Sequence, residues 1–295
     1  MSMSAGKARG SAAAAPITAL DGELTIVPSG GTLGAEVRGV DLSAPLEEPI
    51  VSRLRAAWLE HLLLLFRGQK LSDEQLVGLA RHFGEPHIVT FFDYNRAGLL
   101  PEIEVISNIV AEGRAAGGGG AGELVWHTDM AMFEYPASAT VLFGEEIPPA
   151  GGNTRFSNMY AAYEILSQPL KNRVEGRRAL FDKGGGKLGY SVNSTENPCA
   201  VHPVVRTHPE TGRKALFLGR RDSGLIQGLR AEEASLLREQ LWEHATKPEF
   251  VWEHQWRAGD VLIWDNRCLS HSRGAFASNA RRVLRRVTAK GEKPV

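Results

Sequence analysis

His127 and Asp129 stand two residues apart, His271 follows far downstream, and Arg282 and Arg286 lie four positions apart on one short segment beyond it. Two imidazoles and one carboxylate can hold a ferrous ion on one face and leave its other positions open, the arrangement of non-haem iron oxygenases. On a strand the side chains at i and i+2 leave the same face, so His127 and Asp129 can reach one ion while Thr128 turns away. Trp126 before them and Met130-Ala-Met-Phe133 after them supply an apolar surround that would restrict water. Alone, a His-X-Asp pair is a weak sign, because nine histidines in 295 residues produce such pairs by chance. A second near-match, His208-Pro-Glu210, lies where Pro and Gly mark a tight turn between apolar runs, and it reads as a hairpin.

His271 strengthens the first pair. It follows Gly259-Asp260 and the apolar run ending at Asp265, and it precedes Ser272-Arg-Gly274. It is therefore expected at the polar, turn-rich exit of a buried strand, where a ligand can reach a cavity mouth. Arg282 comes eleven positions later, within Ala280-Arg-Arg-Val-Leu-Arg-Arg-Val287. On a strand, 282, 284 and 286 share a face, which turns two guanidiniums the same way as Leu284. Two cations aimed into a protein interior are costly without anions beside them. A dicarboxylate ligand would remove that cost.

Further segments run in order along the chain: Gly34-Ala-Glu-Val-Arg-Gly-Val-Asp-Leu42, Phe66-Arg-Gly-Gln69, Phe83-Gly84, Trp126-His-Thr-Asp129, Gly151-Gly-Asn-Thr154, Ala161-Ala-Tyr163, His202-Pro-Val-Val-Arg-Thr-His-Pro209 and Trp264-Asp-Asn-Arg267. With these and the arginine pair, nearly the whole chain from Leu24 onward resembles the iron(II)- and 2-oxoglutarate-dependent dioxygenases of the taurine dioxygenase and 2,4-dichlorophenoxyacetate dioxygenase family. The resemblance implies a mainly β fold with flanking helices, a double-stranded β-helix of the jelly-roll, cupin-like kind. It implies that His127, Asp129 and His271 are the iron ligands and the catalytic centre. It implies too that Thr154 and Arg282 clamp the distal carboxylate of 2-oxoglutarate, and that Arg286 meets the substrate's anionic group or lies beside the cosubstrate. The implied cofactor and cosubstrates are Fe(II), 2-oxoglutarate and O2. The implied reaction hydroxylates a small organic anion, a carboxylate, aryloxyalkanoate or sulfonate, and releases succinate and CO2. An arginine suits such a clamp because guanidinium and carboxylate match in a planar pair of hydrogen bonds, and Thr154 can donate a third.

Within that family, Val89 falls where taurine dioxygenase has a sulfonate-binding histidine, with His87 close by, which argues against taurine. Leu216-Phe-Leu-Gly219 and the 280–286 segment look more like the phenoxyacetate-degrading branch. Arg220-Arg-Asp222 puts charge near the expected pocket, although a solvated loop is the plainer reading of Arg220 and Arg221.

The elements that must position these residues are short. Strands are expected near 24–27 and 35–38, and Ile50–Trp58 shows helical spacing ahead of the buried strand Leu62–Phe66. Ser72 with Gln75 makes a capping box for a helix whose apolar stripe is Leu76, Leu79, Ala80 and Phe83. Arg230–His244 reads as a third helix with Leu236, Leu237, Leu241 and Trp242 inward. Turn-bounded apolar runs at 103–107, 137–143, 201–206, 214–218, 249–256 and 260–264 suit a double-sheet β fold.

Composition sets bounds. With 34 basic and 34 acidic side chains the formal charge is zero, which offers no global attraction to nucleic acid or to an anionic membrane. No apolar run approaches the roughly eighteen residues of a membrane span. Two cysteines, Cys199 and Cys268, are too few for a disulfide framework or zinc cluster and suit a reducing cytoplasm as partly buried thiols. Residues 1–20, rich in Ala, Gly and Ser without periodicity, read as a disordered tail, and 21–295 as one domain. A homo-oligomer is left open. The glycine stretches 115–122 and 183–187 lack the strand–loop–helix context of a nucleotide loop and read as flexible segments near the cavity mouth, with 181–199 as the expected lid. Two other readings use the same residues: an inactive cupin-like small-molecule binding protein, and a zinc hydrolase. The first has no need of an intact His/Asp/His triad with a matched Arg282, and the second gives no reason for the arginine spacing.

Overall fold

Leu63–Phe66 is buried at every residue because it lies inside an eight-stranded sheet, between Ala35–Arg38 and Val261–Asp265. A computed structural model describes residues 23–88, 99–111, 113–182 and 198–295. The N-terminal tail, Val89 and most of the expected lid lie outside the described residues. The sheet runs Thr25–Pro28, Ala35–Arg38, Leu63–Phe66, Val261–Asp265, Ala137–Glu146, Val283–Lys290, Glu104–Ser107 and Gly118–Gly119. Alternate side chains leave opposite faces of a strand. Accordingly Leu64, Phe66, Val141, Phe143, Val261, Ile263 and Val287 enter one core, and Leu63, Leu65, Leu142, Leu262, Trp264 and Leu284 enter another.

Helices Glu48–His61 and Asp73–Arg81 close the first core with Leu54, Trp58, Leu76 and Leu79. The capping box at Ser72 and Gln75 is formed in both directions. On the second face lies a four-stranded sheet, Val251–His254, Thr154–Asn158, Leu269–Arg273 and Leu124–His127. Trp264 of the large sheet meets Phe156 and His271 of the smaller one at ring-centroid separations of 5.3 and 5.0 Å, so aromatic contacts tie the two sheets together. The fold is thus mainly β with a few helices, and the space between its sheets holds His127, Asp129 and His271.

Several expectations change in detail. Ala231–Ala245 buries Ala234, Leu237, Leu241 and Trp242, while Leu236 stands 58% exposed because it falls off the stripe those positions define. The 201–206 run divides between Cys199–Pro203 and Val205–Thr207, which belong to different sheets. His208-Pro-Glu210 does sit at the turn of a hairpin, between Val205–Thr207 and Lys214–Leu216. Its histidine is buried, with Nε2 3.0 Å from the Asp265 carboxylate. Cys199 and Cys268 are fully rather than partly buried. Gly118–Gly119 pairs in parallel with Ile106 and Ser107 as the last strand of the large sheet. A Cβ on Gly117 would come 2.5 Å from the Val105 carbonyl oxygen, so glycine here permits close backbone approach rather than hinging. Among the described residues no helix is long and apolar enough to cross a membrane.

Candidate active site

His127 is the last residue of Leu124–His127 and faces His271 directly across the ladder, with ring centroids 4.2 Å apart. His271 does not sit at a strand exit, as its polar neighbours suggested. It occupies the centre of Leu269–Arg273, a strand buried at all five positions because it runs between two partners. Asp129 departs from expectation too: the strand ends at His127, and Asp129 lies in the turn that follows. Thr128 there donates its backbone N–H to Gly219, and Met130 takes a left-handed φ of 58°. The turn still brings the carboxylate back to the imidazoles. Asp129 Oδ1 lies 4.0 Å from His127 Nε2 and 3.8 Å from His271 Nε2.

These three donors fit a metal ion. Two bonds of about 2.1 Å reach across at most roughly 4.2 Å, and both carboxylate-to-imidazole separations fall within that span. His127 Nδ1 lies 2.8 Å from the Val125 carbonyl, which fixes its proton there and leaves Nε2 as a lone pair facing the triangle. Burial lowers the proton affinity of both imidazoles, that of His271 to about 3, so each is a neutral donor. Burial pushes the Asp129 carboxyl up, but the charge of Arg286, helped by the hydrogen bond from Thr140, outweighs it and holds the group ionised well below the usual carboxylate range. Among the described residues this is the one cluster of histidine, cysteine or acidic side chains arranged to hold an ion.

The large sheet orients Asp129. Arg286 Nη1 donates to Oδ1 at 2.7 Å, while its Nε donates to Glu104 at 2.9 Å from the neighbouring strand, where Arg286 and Glu104 are register partners. Thr140 donates to Oδ2 at 2.8 Å and accepts from Asn266 at 2.7 Å, and Asn266 in turn accepts from Trp264 Nε1 at 3.0 Å. Sequence reasoning missed Glu104, Thr140 and Asn266, since their roles depend on which strands are neighbours. Thr140→Val keeps the shape and removes the bond, so metal affinity should fall roughly 10- to 100-fold, as seen when a ligand's hydrogen-bond partner is lost. Anaerobic titration with Fe(II) reads the change, and parental affinity in the variant would exclude the relay.

Around the triangle lies a cavity of about 280 Å³. Thr154, Arg282 and Arg286 all line it with the three donors, so the six residues given metal, cosubstrate or substrate roles from the sequence converge on one space. Arg282 precedes the strand Val283–Lys290 and is 2% exposed. Its backbone N–H donates to Asn108 and its Nη2 to the Gly152 carbonyl at 3.2 Å. Gly152, at φ +68°, is needed beside it, because an added Cβ would stand 3.1 Å from Arg282 Nε. Burial, and then the like charge of Arg273, press the Arg282 guanidinium down to about 9. Thr154 accepts a hydrogen bond from Trp256 Nε1 at 2.9 Å, which leaves its own hydroxyl hydrogen to donate into the cavity. Arg220 lines the same space next to His127, its β-bridge partner, and forks onto Asp222 at 2.6 and 3.2 Å. Arg221 points elsewhere, to Glu239 of the 231–245 helix.

The family model for taurine catabolism dioxygenase TauD, TfdA family, matches residues 25–288. The chain is 36% identical to a (S)-phenoxypropionate/alpha-ketoglutarate-dioxygenase of Delftia acidovorans over 271 residues, covering 84% of this chain and 88% of that one. It is 35% identical to the alpha-ketoglutarate-dependent 2,4-dichlorophenoxyacetate dioxygenase of Cupriavidus pinatubonensis over 269 residues, 86% and 93% of the two chains. Among solved structures, a taurine dioxygenase from Burkholderia xenovorans superposes with a TM-score of 0.78 at 35% identity, over 92% of this chain and 91% of that one. A match over most of the chain, in sequence and in fold, places this protein in the TauD/TfdA dioxygenase family.

Proposed function

We propose that this chain oxidises a small organic anion, a carboxylate, aryloxyalkanoate or sulfonate, in one domain built on a double-stranded β-helix. In this reading His127, Asp129 and His271 hold the iron, and Arg282 with Thr154 seats the distal carboxylate of the cosubstrate. One observation carries it: the three-donor triangle opens onto the same cavity as a buried guanidinium whose fork, among the described residues, meets only a backbone carbonyl. As a member of its family the chain is a dioxygenase that uses Fe(II), 2-oxoglutarate and O2. Iron and 2-oxoglutarate supply the oxidising chemistry when bound, with succinate and CO2 as products, and the protein supplies binding, orientation and exclusion of water.

The chain's own residues divide that work. Arg282 and Thr154 hold one end of the cosubstrate, the first by charge and the second by its free hydroxyl hydrogen. Ile106, Leu124, Met130, Met132 and Leu142 give the cavity an apolar wall for the substrate's body. For its anionic group the cavity offers Arg286, whose charge is already shared by Glu104 and Asp129, and Arg220 on the His127 side. The less committed cation, Arg220, with a single carboxylate of its own, is the better contact. Arg220→Ala should raise the substrate KM about tenfold with the 2-oxoglutarate KM little changed, the worth of one charge-assisted contact. An unchanged substrate KM would remove Arg220 from the reading.

The reaction class is tested first. Anaerobic addition of Fe(II) and 2-oxoglutarate should produce a weak visible charge-transfer band, which neither a zinc hydrolase nor an inactive binding protein would show. Screening carboxylates, aryloxyalkanoates, sulfonates and sulfate esters for stimulated succinate formation then identifies the substrate class. If no band forms and no candidate stimulates succinate release, the proposal fails.

A further inference from the structure

Arg273 has no part in the roles of Arg220, Arg282 and Arg286. It lies two residues beyond His271 on the same strand, and its register partner on the adjacent strand is Thr154. Residues directly opposite in an antiparallel pair, and residues two apart on one strand, present their side chains on the same face. Arg273 therefore shares the inward face with His271 and Thr154, and it lines the same cavity as Arg282. The guanidinium carbons of Arg273 and Arg282 stand 5.2 and 5.8 Å from the ring centre of Phe276, so one aromatic side chain serves both cations.

Arg273 is 4% exposed, and among the described residues its recorded acceptors are two neutral backbone carbonyls, Gly119 at 2.9 Å and Gly122. No Asp or Glu side chain of the described residues forms an ion pair with Arg273 or with Arg282, whereas Arg220, Arg286 and Arg267 each hold carboxylates. The Nε atoms of both Arg273 and Arg282 are buried without a hydrogen-bond partner among the described residues. Two buried cations side by side, each with an orphaned donor, are stable only where an anion joins them.

We propose that Arg273 is a second guanidinium of the cosubstrate subsite, binding the distal carboxylate of 2-oxoglutarate together with Arg282 and Thr154. The inference rests on the dioxygenase reading above and extends it. Through its bonds to Gly119 and Gly122, Arg273 also joins the glycine segment at the edge of the large sheet to the same carboxylate. The occupied cosubstrate site and that wall of the cavity are thereby held by one side chain.

The experiment compares 2-oxoglutarate with 2-oxobutyrate, a 2-oxo acid that lacks the distal carboxylate. Both are titrated anaerobically into the Fe(II)-loaded full-length parent, Arg273→Met and Arg273→Lys, with the visible band as readout. Arg273→Met should bind 2-oxoglutarate roughly 10- to 100-fold more weakly, the equivalent of one hydrogen bond to a charged group. Its affinity for 2-oxobutyrate should match the parent's, and Arg273→Lys should recover part of the loss. A merely structural Arg273 would weaken both ligands alike, and that result overturns the proposal, as would parental affinity for 2-oxoglutarate in Arg273→Met. If the parent itself binds no 2-oxoglutarate, the dioxygenase reading falls and this inference with it.

Discussion

Asp129→Ala should abolish tight iron binding and turnover together while leaving the fold in place. The carboxylate is the only anion in the triangle, 3.8 and 4.0 Å from the two imidazole nitrogens, and it is 4% exposed. Removing it leaves two neutral rings and turns Arg286, formerly paired at 2.7 Å, into a cation facing the metal position. Breaking a buried charge pair by deleting one partner costs roughly 3–5 kcal/mol, which is about two to three and a half orders of magnitude in affinity. Glu104 still holds Arg286 from the other side, so the variant is expected to keep its circular dichroism and cooperative melting. Competition with a chelator for Fe(II) under argon measures the affinity. Stoichiometric iron binding by Asp129→Ala at parental strength would remove Asp129 from the ligand set.

Arg282→Ala carries the second large effect, on the cosubstrate rather than the metal. If Arg282, only 2% exposed, seats the distal carboxylate of 2-oxoglutarate as proposed, that carboxylate would lie unpaired in a partly dry cavity once the side chain is gone. The loss is about 3 kcal/mol or more, so apparent affinity for 2-oxoglutarate should fall roughly a hundredfold. Iron binding should hardly change, because Arg282 makes its recorded bonds to Asn108 and Gly152 and not to the triangle. Succinate formation followed against 2-oxoglutarate concentration gives the shift. An unaltered 2-oxoglutarate dependence would refute the assignment, and a parallel loss of iron affinity would show that Arg282 supports the metal ligands instead.

Much of the scaffold was legible because its signals are local. The buried run Leu63–Phe66, the capping box at Ser72, the hairpin after Thr207 and the apolar stripe of the 231–245 helix each follow from side-chain periodicity or turn chemistry over a few residues. Two short helices, Met159–Glu164 and Gln168–Val174, carry too few turns to show a period and went unread. The polar flanks of His271 point to the exit of a strand, yet Ser270, Ser272 and Arg273 are buried with it inside one. Ser270 donates to the His127 carbonyl and Arg273 to the glycine segment, so partners from remote parts of the chain make polar residues tolerable there.

The sequence alone determined which side chains could do chemistry here, because histidine, carboxylate and arginine at those spacings have few other joint uses and their resemblance to one family is dense. Only the tertiary structure decided how they are held. It set Glu104 against Arg286, Thr140 against Asp129, and Arg273 across from Thr154. The first and last of these arise from strand register between segments more than a hundred residues apart, and the second from the turn that brings Asp129 back to a strand eleven residues on. Register is a property of two strands and the cores they bury, and it is not written in either strand by itself.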